Sequence, residues 1–324
     1  MIPLLKINNL VKKFPVRSGL FGRAKNFVHA VSDVSLTIAP GETVGLVGES
    51  GCGKTTLARM VVRLIRPDSG QIEFEGNNLA TLSERQFRPY RRKIQMVFQD
   101  PFSSLNPRMT VGEIVSEPLM IHRQVAHRQK RNKVTELLQL VGLAPEHYDR
   151  YPHEFSGGQR QRIGIARAIA LLPKLIVADE PVSALDVSVA AQIVNLLQDL
   201  QKKFNLSYLF IAHDLKMVKY LSHRIAVMYL GKVVEFAPKE GFAKPLHPYT
   251  QALMAAIPVA DPTTKREKIV LQGEVPSPMH PPTGCSFHTR CPFAEARCRA
   301  EEPSLKEWKT GHWASCHFIE KING

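Results

Sequence analysis

The residues Gly48-Glu49-Ser50-Gly51-Cys52-Gly53-Lys54-Thr55-Thr56 hold the densest chemistry of this sequence. They follow the apolar run Thr43 to Val47 and precede a helix-compatible stretch, Leu57 to Arg66. Glycines let a backbone turn tightly enough for successive N–H groups to converge on phosphate oxygens. In that geometry Lys54 reaches the outer phosphates and the Thr55 hydroxyl suits Mg²⁺. A glycine-rich turn that binds nothing would need neither the strand before, the helix after, nor the lysine and hydroxyl at these positions. Cys52 fills a free position and reads as a small tolerated side chain, although a thiol at a helix N-terminus can be acidified.

Hydrolysis of a triphosphate also needs a metal ligand and a group that takes a proton from water. Asp179 and Glu180 close the apolar run Leu175 to Ala178. Asp179 is placed to hold Mg²⁺ and Glu180 to accept the proton, the bland reading being a carboxylate pair that caps the next helix. Gln99, at another strand end, has an amide suited to orienting water and Mg²⁺. His213 has a ring suited to a γ-phosphate or to steadying Glu180, though a histidine there is often a structural hydrogen-bonder. Ser156-Gly157-Gly158-Gln159 opens a helix whose far side carries Ile163, Ala166 and Ile169. It makes a second phosphate-suited N-terminus. One chain with two such ends predicts a head-to-tail dimer, with ATP between one protomer's loop and the other's serine.

The elements that must position these groups alternate. Strands are expected over Leu5 to Phe14, Val31 to Ile38, Ile94 to Phe98 and Ser207 to Ala212, with a hairpin of Ile225 to Tyr229 and Lys232 to Phe236 about Leu230-Gly231. Helical sequence spans about Val111 to Val141. Another helix is expected from Val187 to Phe204, with Asp186 as N-cap and Val189, Ile193, Leu196, Leu200 and Phe204 on its buried face. The polar chemistry collects at strand C-termini, as in an open α/β sheet. A basic loop, Val16 to Lys25, reads as a solvated excursion, and the basic run His122 to Arg131 as a solvated helix face. After about Ala237 prolines recur and periodicity weakens, so the chain divides into residues 1–236 and a loop-rich segment, 237–324.

The 324 residues carry 43 Lys and Arg against 29 Asp and Glu, with 44% hydrophobic residues. That composition excludes disorder and predicts a chain with a real core. The excess of positive charge suits nucleic acid, an anionic membrane face or a nucleotide, and does not choose among them. No run reaches the ~20 apolar residues that span a bilayer, and the N-terminus lacks an export pattern, so a cytoplasmic chain is expected.

In order and spacing these motifs resemble the nucleotide-binding subunits of ATP-binding cassette (ABC) transporters. Gly48 to Thr56 is similar to that family's Walker A loop, Gln99 to its Q-loop and Ser156 to Gln159 to its signature. Leu175 to Glu180 is similar to its Walker B strand, Ser183 to Asp186 to its D-loop and His213 to its switch histidine. The resemblance implies an α/β, RecA-like parallel sheet with an N-terminal antiparallel β subdomain and a helical signature subdomain at about residues 100–170. It implies ATP contacts from Phe14, Gly48, Ser50, Gly51, Gly53, Lys54, Thr55, Thr56, Ser156, Gly157, Gly158, Gln159 and Asp186. Mg²⁺ would be held by Thr55, Gln99 and Asp179, and catalysis carried by Glu180, His213 and Gln99. Phe14 stands where the family commonly has tyrosine, with Phe27 the weaker candidate, and Phe155 where the signature commonly has leucine.

Gly19 to Gly22, Val97 to Pro101 with Ser104 to Pro107, Tyr148 to His153 and His247 to Leu253 narrow the resemblance. They are similar to the ATP-binding subunits of oligopeptide, dipeptide and nickel importers, nearest the F-type dipeptide permease subunits. Implied are an ATPase powering uptake of di- or oligopeptides, a second, homologous ATPase subunit in a heterodimer, two transmembrane permease subunits and an extracytoplasmic substrate-binding protein. Also implied is a peripheral place on the cytoplasmic face of the inner membrane, with the loop after Gln99 against the membrane subunits. Nickel, glutathione or another small solute is the alternative cargo. The other class is a soluble nucleic-acid-associated ATPase of the same superfamily; with one cassette and no internal repeat, no nucleic acid is expected.

Five residues separate Cys285 from Cys291, six Cys291 from Cys298 and seventeen Cys298 from Cys316. These gaps are wider than zinc knuckles, and Cys291-Pro292 is similar to the Cys-Pro of ferredoxin ligand runs. An iron–sulfur cluster, zinc, and unligated thiols or disulfides all remain open on spacing. The family resemblance implies a [4Fe–4S] cluster, in a structural role.

Overall fold

A computed structural model describes residues 2–16, 26–256, 271 and 273–323. Apart from Val16, the basic loop of residues 16–25 lies outside the described residues. In chain order come β1 (Leu5–Val16), β2 (Asn26–Ile38), β3 (Thr43–Val47), α1 (Lys54–Val61), β4 (Ser69–Phe74), β5 (Asn77–Asn78), α2 (Glu84–Phe87) and β6 (Ile94–Val97). Then follow α3 (Val111–Ile121), α4 (Lys130–Leu140), α5 (Gly157–Ile169), β7 (Leu175–Asp179), α6 (Val187–Phe204), β8 (Ser207–Ile211), α7 (Leu215–Leu221) and β9 (Arg224–Tyr229). Last are β10 (Lys232–Pro238), α8 (Pro248–Ala255), α9 (Ala296–Ala300), β11 (Lys306–Lys309), β12 (His312–Ala314) and α10 (Ile319–Asn323). The chain divides into two compact units, one of residues 38–43 and 81–212, the other of residues 2–37, 44–80 and 213–324.

In the first unit β6, β7 and β8 run parallel, with Met96 opposite Val177 and Val177 opposite Leu209. Every residue of β7 and β8 is buried. This is the continuous apolar pattern of strands covered on both faces. Helices α3, α4 and α5 pack on one another, and α5 also packs against β6 and α6. Ile163, Ala166 and Ile169 are buried as expected. The Arg167 guanidinium, half-buried on α5, donates to the Ser104 carbonyl at 2.7 Å and so pins the proline-bent loop after Gln99.

Two expectations are corrected here. The helical stretch from Val111 to Val141 is two helices, because Arg123 adopts a left-handed conformation (φ +52°) and turns the chain between them. The buried face of α6 is Ala190, Ile193, Val194, Leu197 and Leu200, while Val189, Leu196 and Phe204 are only half-buried. Ile193 and Leu200 belong to both stripes, and the real one is rotated toward the positions that follow the predicted ones.

In the second unit an antiparallel sheet has the order β2-β1-β4-β5. Strand β3 lies parallel to β9, Leu46 opposite Ala226, and β9 turns into β10 through Leu230 (φ +43°) and Gly231 (φ +79°). Two successive left-handed residues are what a tight hairpin with native twist requires. The C-terminal segment extends the separate sheet of β3, β9 and β10: β12 pairs with β10, Glu235 opposite Ala314, and β11 pairs with β12. Buried Glu235 fastens it, accepting from the backbone N–H of Leu246 (2.8 Å) and His247 (2.9 Å) and facing His312 Nε2 at 2.7 Å. A carboxylate taken out of water needs such partners.

Candidate functional site

The glycine-rich loop joins β3 to α1, and its conformation explains its composition. Gly53 has φ +104°, and a Cβ built there would stand 2.0 Å from the Ala30 carbonyl oxygen. At Gly48 a Cβ would stand 2.1 Å from the Met228 carbonyl oxygen. Neither position admits a side chain. Helix α1 begins at Lys54 itself, three residues earlier than expected, so the loop's N–H groups and the helix N-terminus form one positive concavity. Lys54 is buried, and its ammonium donates to the carbonyls of Gly48 (2.8 Å) and Glu49 (3.0 Å). Thr55 and Thr56 are half-buried, and Ser50 and Gly51 exposed. Burial pushes the Cys52 thiol up, against the lowering influence of Lys54, so helix-terminal acidification does not prevail there. On β1, Phe14 is half-buried with the Lys12 ammonium 5.5 Å from its ring centroid, whereas Phe27 on β2 is exposed.

In the other unit Asp179 is the buried last residue of β7. Glu180 follows with φ +45°, a conformation that costs a non-glycine residue on the order of 1 kcal/mol and persists where the surroundings impose it. Those surroundings are visible. Its N–H donates to the Ile211 carbonyl at 2.9 Å, and its carbonyl accepts from the Ser183 hydroxyl at 3.1 Å. The turn brings the carboxylate against Gln99, whose Nε2 donates to Glu180 Oε2 at 2.8 Å. Neighbouring parallel strands β6 and β7 end side by side, which is why residues so distant in sequence meet. Asp186 occupies the N-cap of α6 as expected, although its side chain makes no capping hydrogen bond.

Ser156, Gly157, Gly158 and Gln159 open α5 through a reciprocal cap. The Ser156 hydroxyl accepts from the Gln159 N–H at 3.4 Å while Gln159 Oε1 accepts from the Ser156 N–H at 3.0 Å. Ser156 is exposed. His213, also exposed, sits between β8 and α7, next to Asp214, whose carboxylate caps α7 by accepting from the Lys216 N–H at 2.7 Å.

Cys285, Cys291, Cys298 and Cys316 are all free thiols. Burial pushes Cys285 up to about 11 and Cys291 up to about 12, and the other thiols of the group add to both shifts. Cys285 and Cys298 are held together by the Cys285 N–H, which donates to the Cys298 carbonyl at 2.8 Å. Among the described residues, however, no three His, Cys, Asp or Glu side chains are gathered as a metal ion would need. Sequence reasoning missed two side chains of the C-terminal segment that contact the loop: Tyr249, whose hydroxyl accepts from the Glu49 N–H, and Arg290, which grips the Glu49 carboxylate. No local pattern announces either contact.

Comparison with known proteins decides the family. The Oligopeptide transport ATP-binding protein AppF of Bacillus subtilis (strain 168) is 54% identical over 319 residues, 97% of this chain and 97% of that protein. The chain belongs to the ABC transporter ATP-binding proteins. Within this family it is also 55% identical to the Probable peptide ABC transporter ATP-binding protein y4tS of Sinorhizobium fredii over 97% of this chain and 89% of that one. The ABC transporter family pattern matches residues 31–183, and the oligopeptide/dipeptide transporter C-terminal region matches residues 234–298. The ATP-binding cassette MJ0796, solved as a dimer in a post-hydrolysis state bound to ADP and Pi, aligns with a TM-score of 0.65 at 29% identity, over 72% of this chain and 98% of that one. The chain is thus an ABC ATPase with the cassette fold, and it binds and hydrolyses ATP. No described helix is long and apolar enough to cross a membrane.

Proposed function

We propose that this ABC ATPase powers the import of short peptides, bound to two transmembrane permease subunits at the cytoplasmic face of the inner membrane and paired with a second, homologous ATPase subunit. Its cargo would reach the permeases from an extracytoplasmic binding protein. A boundary near residue 236 then separates the cassette from the C-terminal extension. The observation that carries the reading is the union in one chain of the phosphate loop, the Gln99–Glu180 pair and a C-terminal region of the oligopeptide/dipeptide type.

In this reading the loop from Gly48 to Thr56 holds the triphosphate and Phe14 stacks on the adenine. Lys54 exchanges its contacts with the loop carbonyls for phosphate oxygens. Thr55, Gln99 and Asp179 would each supply an oxygen donor of the kind Mg²⁺ takes, and the ion when bound would neutralise developing phosphate charge. Glu180 takes the proton of the attacking water, oriented by Gln99 and by His213. Ser156 to Gln159 of the facing subunit, with Asp186 near them, close on the phosphates.

For the cysteines the proposal is a structural [4Fe–4S] cluster on Cys285, Cys291, Cys298 and Cys316, with zinc the alternative. Four free thiols in the C-terminal segment supply the donor chemistry; no step of hydrolysis runs through it. Iron and acid-labile sulfide in anaerobically purified protein are expected, and their absence removes the cluster.

The function is tested on the reconstituted assembly, isolated by its membrane proteins. Di- and oligopeptides presented by the binding protein should stimulate ATP hydrolysis several-fold. Stimulation by nickel or glutathione and not by peptides would reassign the cargo, and nuclease-sensitive RNA or DNA in place of membrane proteins would reassign the class.

A further inference from the structure

We infer that Arg290, with Tyr249, is a clamp on the phosphate loop, through which the C-terminal segment sets the cassette's affinity for ATP. Glu49 is the residue after the first loop glycine, and it is held at three points. Its N–H donates to the Tyr249 hydroxyl at 2.9 Å. Its carboxylate receives both arms of the Arg290 guanidinium, Nη1 to Oε2 at 2.8 Å and Nη2 to Oε1 at 3.1 Å. Its carbonyl accepts from Lys54, the side chain that reaches the phosphates, at 3.0 Å. The ion pair lies largely out of water, the Arg290 side chain being 8% exposed and that of Glu49 27%.

The clamp rests on a rigid base. The Arg290 guanidinium carbon stands 6.0 Å from the Tyr229 ring centroid. Tyr229, Tyr249 and Phe287 pack with centroids 4.7, 5.3 and 5.4 Å apart. Aromatic rings in tilted and edge-on contact resist displacement. The chemistry gives the clamp its purpose. A carboxylate on a loop built to attract a polyanion repels it, and more strongly in a partly desolvated site than in water. A forked, charge-assisted pair both neutralises that charge and fixes the carboxylate in one orientation. Arg290 acts through the Glu49 carboxylate that it holds and is therefore a positioning residue.

The inference rests on reading Gly48 to Thr56 as the ATP loop, and the test separates the two claims. MgATP affinity of the full chain is measured by calorimetry for Arg290→Met, Glu49→Gln, the pair of substitutions together, Arg290→Lys and Lys54→Ala. Arg290→Met is expected to weaken binding about tenfold, about 1.4 kcal/mol. In the Glu49→Gln background, where no carboxylate is left uncompensated, the same change is expected to matter less than threefold. Arg290→Lys keeps the charge and the packing stem but loses the fork, and should fall between native and Arg290→Met even if the latter folds poorly. In the assembled complex Arg290→Met should raise KM for ATP about tenfold with kcat lowered less than threefold. Native affinity of Arg290→Met, or of Arg290→Lys, overturns the clamp, as does an equal loss in both Glu49 backgrounds. Native affinity of Lys54→Ala overturns instead the reading of the loop.

Discussion

In the roles proposed for them, base and water-orienting amide, Glu180 and Gln99 make the site's chemistry depend on geometry at single residues. A carboxylate acts as a base only where it meets its water at a fixed angle. The left-handed backbone at Glu180 and the 2.8 Å hydrogen bond from Gln99 supply that fixity. Glu180→Gln is nearly isosteric and can still accept from Gln99, but it cannot take a proton. We expect it to lower turnover by about a hundredfold or more, within the range for loss of a general base, while ATP affinity stays within about threefold of native. Near-normal hydrolysis by this variant in the assembled complex would remove Glu180 from its role. The sequence told residue type and strand-end position for this pair but not their mutual contact. Contact follows from which strands lie side by side, a property of the whole sheet that no local pattern holds. Arg290 and Glu49 were hidden for the same reason, being 241 positions apart.

At the scale of elements, legibility followed burial on all sides. Strands β3, β7 and β8 read correctly because a continuous apolar run admits one interpretation when bounded by polar turns. The face of α6 read less well, since its apolar residues are numerous enough to support two overlapping stripes and only packing selects between them. The break between α3 and α4 at Arg123 was invisible, because left-handed backbone at a non-glycine residue is imposed by context. Helix α5 carries a further lesson. Ser156 is both its N-cap and the residue proposed to meet a facing subunit's phosphate, and the cap itself contributes about 1 kcal/mol to stability. Aspartate caps as well as serine, so Ser156→Asp should leave α5 intact while setting a negative charge against phosphate. It separates the two duties of one residue where alanine would disturb both.

For the whole molecule, the decisive question is whether one chain's loop and another's serine act on the same nucleotide. If they do, each chain of a pair contributes to both sites, and its two motifs serve different ATP molecules. Bound nucleotide is then counted in assemblies carrying Glu180→Gln and the corresponding change in the partner ATPase, which retain what they bind. The parent assembly should hold two ATP. Adding Lys54→Ala to this chain should empty the site built on its own loop and leave one ATP, at the partner's loop; adding Ser156→Asp should also leave one, but at this chain's own loop. Both changes together should leave none, because the losses fall on separate sites and add independently. The cassette MJ0796, which this chain resembles in fold, was itself solved as a dimer. Should the double variant instead retain one nucleotide, Lys54 and Ser156 would be acting on a single ATP, and the motor would have to work within one protomer.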